Sequence, residues 1–73
     1  MSKWISVEKQ LPEPFEKVLV NFKKDGVKNM QFVAYIDNNE EWGLIYLYEV
    51  FPVIKNRLTP THWMPLPEPP DKV

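Results

Sequence analysis

The fold of this chain is decided by residues 18–36, which read VLVNFKKDGVKNMQFVAYI. Apolar residues occupy alternate positions on both sides of a central Asp25-Gly26 pair. A repeat of two residues is typical of a β-strand that buries one face. Asp-Gly favours a type I′ turn, because both central residues of that turn take a positive φ. The stretch therefore predicts an antiparallel hairpin whose buried face carries Val18, Val20, Phe22, Met30, Phe32, Ala34 and Ile36.

A second turn and a third strand are predicted directly after this hairpin. Residues 37–40, Asp-Asn-Asn-Glu, are rich in residues that tolerate a left-handed backbone. Residues 42–51 are apolar on both alternating faces, which predicts one strand that is central or covered on both sides. Gly43 within it indicates a bulge or the close approach of another group. A homodimer would provide cover for both faces of such a strand.

Short strands bounded by prolines are predicted at both ends of the chain. Residues 4–7 alternate in character, and residues 8–16 are predicted as a loop. Pro12 and Pro14 exclude both a helix interior and a central strand from that loop. Residues 61–64 lie between two further prolines and are predicted as the last strand.

The segment between the third and the last predicted strand decides between two fold classes, mostly β and α+β. Residues 53–58 follow a proline and fit either one or two helical turns or an irregular loop. Residues 67–73 are predicted as an extended Pro-rich tail, because prolines favour polyproline II. We expect a mostly-β domain over residues 1–66, a small twisted antiparallel sheet of about four strands with a Pro-rich C-terminal strap. A helix at 53–58 would make it α+β.

Composition indicates one small globular domain with an aromatic core. The chain has 73 residues, a formal net charge of −1 and no cysteine, so disulfides and thiol chemistry are excluded. Three Trp, three Tyr and four Phe provide large apolar side chains for such a core. No apolar run is long enough to span a membrane, and the N-terminal residues do not form a secretory signal. We therefore expect a cytoplasmic protein.

Catalytic and metal-binding motifs are missing from the sequence. His62 is the only histidine, and no G-x-S-x-G elbow or glycine-rich phosphate loop occurs. A structural zinc site needs four nitrogen or sulfur ligands, which one histidine cannot supply. Asp37, Glu40 and Glu41 lack the spacing of a calcium loop and read as a solvated turn. We expect no enzymatic activity, no metal and no cofactor.

The long apolar stretch is the first candidate for a binding surface. Aromatic residues supply most of the binding energy at protein interfaces. The candidate partner-binding residues are Trp42, Tyr46, Tyr48 and Phe51. The same side chains fit a buried core, and their exposure discriminates the two readings.

A single-stranded nucleic acid is the alternative ligand. Lys23, Lys24 and Lys28 cluster at the predicted hairpin tip, close in sequence to Phe22 and Phe32. Small β-domains bind single strands with a basic rim and exposed rings. However, the two phenylalanines occupy core-like positions, and lysines at a hairpin tip also serve solubility.

Both ends of the chain resemble a family of short phage and prophage proteins catalogued as a domain of unknown function. The resemblance is carried by residues 4–7, Trp-Ile-Ser-Val, and by residues 61–70, Thr-His-Trp-Met-Pro-Leu-Pro-Glu-Pro-Pro. It implies action in a bacterial host cytoplasm but no activity. It also suggests that the two ends pair as neighbouring strands, with Trp4 and Trp63 on one surface. His62 is then structural, with its ring bonded to a backbone group or a carboxylate.

The function expected from these observations is that of a non-enzymatic protein-binding module. Small phage proteins without catalytic groups often act by occupying a host surface, so a host enzyme or defence system is the expected target. The partner is expected to be a host or phage protein, with a homodimer as a further possibility and nucleic acid as the alternative.

Overall fold

The computed structural model describes residues 3–46, 49–53 and 57–67, with the backbone alone described at 46, 49 and 52. Within these residues, six strands form one antiparallel sheet in the order β1-β6-β2-β3-β4-β5. The strands are β1 Ile5–Ser6, β2 Val18–Lys24, β3 Lys28–Ile36, β4 Trp42–Tyr46, β5 Glu49–Pro52 and β6 Leu58–Pro65. No helix occurs in the described residues, which confirms the predicted mostly-β class.

The predicted β2–β3 hairpin forms, with its turn at Asp25-Gly26. Val18 lies opposite Ala34, and Phe22 lies opposite Met30. Asp25 has a φ of 53° and Gly26 a φ of 75°, as a type I′ turn requires. One face of the hairpin forms the centre of the core, where four side chains are fully buried: Val18, Val20, Phe22 and Ala34.

The prediction of about four strands was wrong, chiefly because residues 42–51 form two strands instead of one. β4 and β5 pair antiparallel, with Leu44 opposite Phe51 and Ile45 opposite Val50. Leu47 and Tyr48, which connect them, lie outside the described residues. The apolar character of the whole stretch therefore reflects a hairpin at the edge of the sheet.

The last strand is longer than predicted because it includes Pro60. β6 begins at Leu58 and pairs with β2 along its whole length, with a register shift between Asn21 and Phe22. β1 pairs only with His62 and Trp63, so Pro60 lies where β6 has a single neighbour. A strand tolerates proline at such an edge or bulge, because the missing N–H faces no partner strand.

Two connecting segments cover the core face of the sheet. The chain crosses from β5 at one edge to β6, and Val53 and Leu58 from this crossing join the buried core cluster. Val53 is a bend, Arg57 a turn and Leu58 the start of β6, while residues 54–56 of the helix-or-loop segment lie outside the described residues. The β1–β2 loop contacts the same face, where the carbonyl of Gln10 accepts a 2.9 Å hydrogen bond from Trp63 Nε1.

The opposite face of the sheet, called here the outer face, is contacted at one end by the β1–β2 loop, where the ring centroids of Phe15 and Tyr35 lie 5.6 Å apart. Side chains alternate across a sheet, so its positions are those between the core residues, for example Leu19, Asn21 and Lys23 on β2. In the next strand Val33 and Tyr35 are half-buried, whereas Gln31 is exposed. This face therefore carries both apolar and amide side chains.

The two ends of the chain pair as predicted, but their tryptophans lie on opposite faces. Ile5 lies opposite Trp63, and Ser6 lies opposite His62. Directly opposed residues share a face, so Trp63 points into the core with Ile5, whereas Trp4 shares the outer face with His62. Trp63 is 6% exposed and Trp4 is 42% exposed. The expectation that both rings share one surface was wrong.

The predicted Pro-rich tail falls largely outside the described residues. Leu66 and Pro67 follow β6 without regular structure and are exposed, and residues 68–73 lie outside the described part. The division between a domain at 1–66 and a tail at 67–73 stays a prediction.

Candidate binding sites

The first candidate site is a cleft of about 360 Å³ at the end of the core face, called here the Trp42 cleft. It lies between the β3–β4 turn, the segment after β5 and the start of β6. Its lining residues are Glu40, Glu41, Trp42, Val53, Leu58, Thr59 and Pro60.

The acidic side of the Trp42 cleft is fixed by Asp37. The Asp37 carboxylate accepts hydrogen bonds from the backbone N–H groups of Asn39 at 2.8 Å and Glu41 at 2.9 Å. The Asp37 carbonyl accepts a third bond from the N–H of Glu40, whose φ is 61°. The predicted solvated turn is thus an ordered loop that holds two exposed carboxylate side chains at the rim of the cleft.

The apolar side of the cleft is fixed by backbone bonds to buried residues. The N–H of Val53 donates to the carbonyl of Trp42, and the N–H of Leu58 donates to the carbonyl of Val53, each at 3.4 Å. Val53 is 4% exposed and Leu58 is 8% exposed, so this wall belongs to the core. An apolar wall beside two carboxylates suits a side chain with an aliphatic stem and a positive head.

The structure brings one of the four predicted partner-binding aromatics into this cleft. Trp42 is half-buried, packs against the core cluster and lines the cleft. Phe51 is half-buried against the core and is not among the lining residues. For Tyr46 only the backbone is described, and Tyr48 lies outside the described residues. The residues that sequence reasoning missed are the apolar wall and the rim carboxylates, which come together only through the sheet order.

The second candidate site is a shallow depression of about 240 Å³ on the outer face, called here the Trp4 patch. Gln31, Asn21 and His62 lie side by side on β3, β2 and β6. The lining residues are Trp4, Asn21, Asn29, Gln31 and His62.

A hydrogen-bond network orders the amides of the Trp4 patch. Asn21 Nδ2 donates to Thr61 Oγ1 at 2.9 Å and to Asn29 Oδ1 at 3.3 Å. Gln31 Nε2 donates to Asn21 Oδ1. Thr61, the extra residue at the β2–β6 register shift, also donates from its hydroxyl to the carbonyl of Asn21 at 3.2 Å. The Asn21 side chain is therefore held in one orientation.

His62 is exposed, and the prediction of its hydrogen-bond partner was wrong. Its Nδ1 lies 3.1 Å from the hydroxyl of Thr61, where a backbone group or a carboxylate was predicted. The ring belongs to the network of the Trp4 patch. No group of three or more His, Asp or Glu able to hold a metal ion is found within the described parts of the chain.

The predicted nucleic-acid residues are divided between the two faces of the sheet. Lys23 lies on the outer face opposite Asn29, whereas Lys24 and Lys28 lie opposite each other on the other face. Phe22 is fully buried, and its ring centroid lies 6.4 Å from that of half-buried Phe32. The two phenylalanines therefore form no exposed platform.

The fold and both sites define a small all-β domain with an ordered cleft on one side of its sheet and an amide-rich patch on the other. The chain belongs to the family described as Protein of unknown function (DUF551), whose family model matches residues 3–71. No curated protein matches the chain, and no solved structure matches it. No helix long and apolar enough to cross a membrane occurs in residues 3–46, 49–53 or 57–67.

Proposed function

We propose that this protein is a non-enzymatic protein-binding module that seats a cationic side chain of its partner in the Trp42 cleft. The observation that carries the proposal is the pairing of an apolar wall, Val53 and Leu58, with two rim carboxylates, Glu40 and Glu41. A lysine or arginine would lay its stem along the wall and direct its charge toward the rim.

The ring of Trp42 adds a second reason for a cationic partner group. Ammonium and guanidinium groups are attracted to the face of an indole ring, and partial burial strengthens that attraction. Trp42 packs against the core cluster, so little side-chain entropy is lost when it binds. Two carboxylates at the rim repel phosphate, so a protein suits this cleft better than a nucleic acid.

The setting that we propose is the cytoplasm of a bacterial host. The terminal blocks at 4–7 and 61–70 resemble phage and prophage proteins. A phage module with such a cleft would act by occupying the surface of a host enzyme or defence protein. Its oligomeric state stays a prediction that light scattering measures directly.

The test is affinity capture from a bacterial lysate with paired charge-reversal variants. The bait with Glu40→Lys and Glu41→Lys reverses the rim charge. The matched control carries Glu8→Lys and Glu13→Lys, two exposed positions outside the cleft lining. Circular dichroism verifies that both baits fold.

We expect the wild type and the control to retain the same protein, and the rim variant to retain at least about tenfold less of it. Reversing both carboxylates places like charges against the cationic group of the partner, which costs several kcal/mol, and about 1.4 kcal/mol is already a factor of ten. Equal retention by the two variants, or no specific partner for a folded wild type, would contradict the proposal.

A further inference from the structure

We propose that the Trp4 patch binds an unpaired base of a single-stranded nucleic acid, on the face of the sheet opposite the Trp42 cleft. The proposal is independent of the protein partner, because the two sites share no lining residue. The stacking ring in this proposal is the exposed Trp4, whereas the nucleic-acid site expected from the sequence relied on Phe22 and Phe32, which are buried and half-buried.

The amide network leaves a donor and an acceptor next to the depression. Asn21 uses its Oδ1 for Gln31 and its Nδ2 for Asn29 and Thr61. Among the described residues, the NH₂ group of Asn29 and the side-chain carbonyl of Gln31 have no partner in this network. An amide donor beside an amide acceptor is the pattern that Asn and Gln use to read the edge of adenine. The unused Nε2 of His62 extends the row on the other side of Asn21.

Trp4 provides the surface on which a base stacks. Its side chain is 42% exposed and lies outside the core cluster. Every base has a π-face, so an exposed ring beside hydrogen-bonding groups is the usual arrangement in single-strand binding domains. The ring and the amides line the same depression, so one base can contact both.

The charges around the Trp4 patch favour a polyanion as its ligand. None of the five lining residues carries a carboxylate. Lys23 lies directly opposite Asn29 and opposite Thr59, on the same face as the patch. Its ammonium is placed to neutralise a phosphate that adjoins the stacked base, and such a contact makes binding depend on salt.

The test measures fluorescence anisotropy of a labelled oligo-deoxyadenosine of about 12 nucleotides, a length within the site sizes of small β-domains. Wild-type protein is compared with Trp4→Ala and Asn29→Asp. Asn29→Asp keeps the oxygen that accepts from Asn21 and replaces the outward donor with a negative charge. Phe15→Ala is the matched control, because Phe15 is a 57% exposed ring that stacks on Tyr35 outside the patch.

We expect Trp4→Ala to weaken binding about 5- to 150-fold, the range measured when a stacking ring is removed. Asn29→Asp should weaken it at least about tenfold, and Phe15→Ala should bind as the wild type does. Lys23→Ala should reduce the salt slope between about 50 and 200 mM by about 0.7. Absence of binding by the folded wild type, or binding unchanged in both Trp4→Ala and Asn29→Asp, would overturn the proposal. Binding of glucose that depends on Trp4, without oligonucleotide binding, would also overturn it and assign a sugar site.

Discussion

A methyl group added at Gly43 tests the β4–β5 hairpin, which is the part of the fold that differs most from its sequence prediction. A Cβ at this position would lie 2.9 Å from Val50 Cγ1 and 3.3 Å from Tyr35 Cζ. Valine is stiff at χ1, so Val50 cannot yield without leaving its preferred rotamer. The contact exists only if β5 folds back beside β4, because Val50 lies opposite Ile45 in that pairing.

The expected effect of Gly43→Ala combines a penalty and a gain. Overpacking costs about 1–3 kcal/mol. The φ of Gly43 is not among the positive values, so alanine fits the backbone and gains about 0.5–1 kcal/mol of chain entropy. The net loss is about 0–2.5 kcal/mol, with a middle value near 1 kcal/mol that lowers the Tm of a domain of this size by about 4–8 °C.

A double-mutant cycle with Val50→Ala measures this contact by thermal and urea unfolding. Val50 is 52% exposed, so Val50→Ala alone should change stability by less than about 1 kcal/mol. In that background Gly43→Ala should be neutral or stabilising, with a coupling of about 1–3 kcal/mol, the size of the overpacking penalty. Effects that add within about 0.5 kcal/mol would refute the hairpin register.

Three further predictions concern the turn, the buried indole and the surface ion pair. Gly26→Ala should lose about 1 kcal/mol from its positive φ, with no steric contact within 4 Å, and Gly26→Asn should lose less in urea unfolding. Trp63→Phe removes the bond to the Gln10 carbonyl and should cost about 1–3 kcal/mol by the same measurement. Arg57→Ala should change the Tm by no more than about 4–8 °C, because its 3.7 Å pair with Asp25 is exposed.

The β2–β3 hairpin was predictable because all of its signals are local. Apolar residues at alternate positions flank the Asp25-Gly26 pair on both sides, and burial of one face fixes the register. The meeting of the two chain ends followed from the resemblance of the terminal blocks, and alternation places Trp4 and Trp63 on opposite faces once Ile5 is paired with Trp63.

The hairpin at 42–52 was not predictable from turn chemistry. The residues between β4 and β5 include no glycine, proline, asparagine or aspartate, and apolar alternation continues through them. Pro60 likewise argued against a longer last strand, because its tolerance depends on how short β1 is.

Neither candidate site was predictable as an arrangement. The Trp42 cleft requires that the chain cross from β5 to β6, so that Leu58 and Thr59 come beside Glu41. The Trp4 patch requires the order β1-β6-β2-β3, which places His62, Asn21 and Gln31 in a row across three strands. Sequence separation between these residues hides both arrangements. Of the residues that the sequence marked as candidates, Trp42 lines the cleft, and its role in binding stays a prediction.

Photo-cross-linking in bacterial cells tests the central claim most directly, that the Trp42 cleft is the protein-binding site. A photoreactive amino acid replaces Glu41, which is exposed and lines the cleft, and in a separate protein it replaces Glu13 in the β1–β2 loop. We expect a discrete cross-linked protein from position 41, none from position 13, and loss of the adduct from position 41 when Glu40→Lys is added. An adduct that forms equally from both positions, or none from position 41 in a folded protein, would contradict the claim.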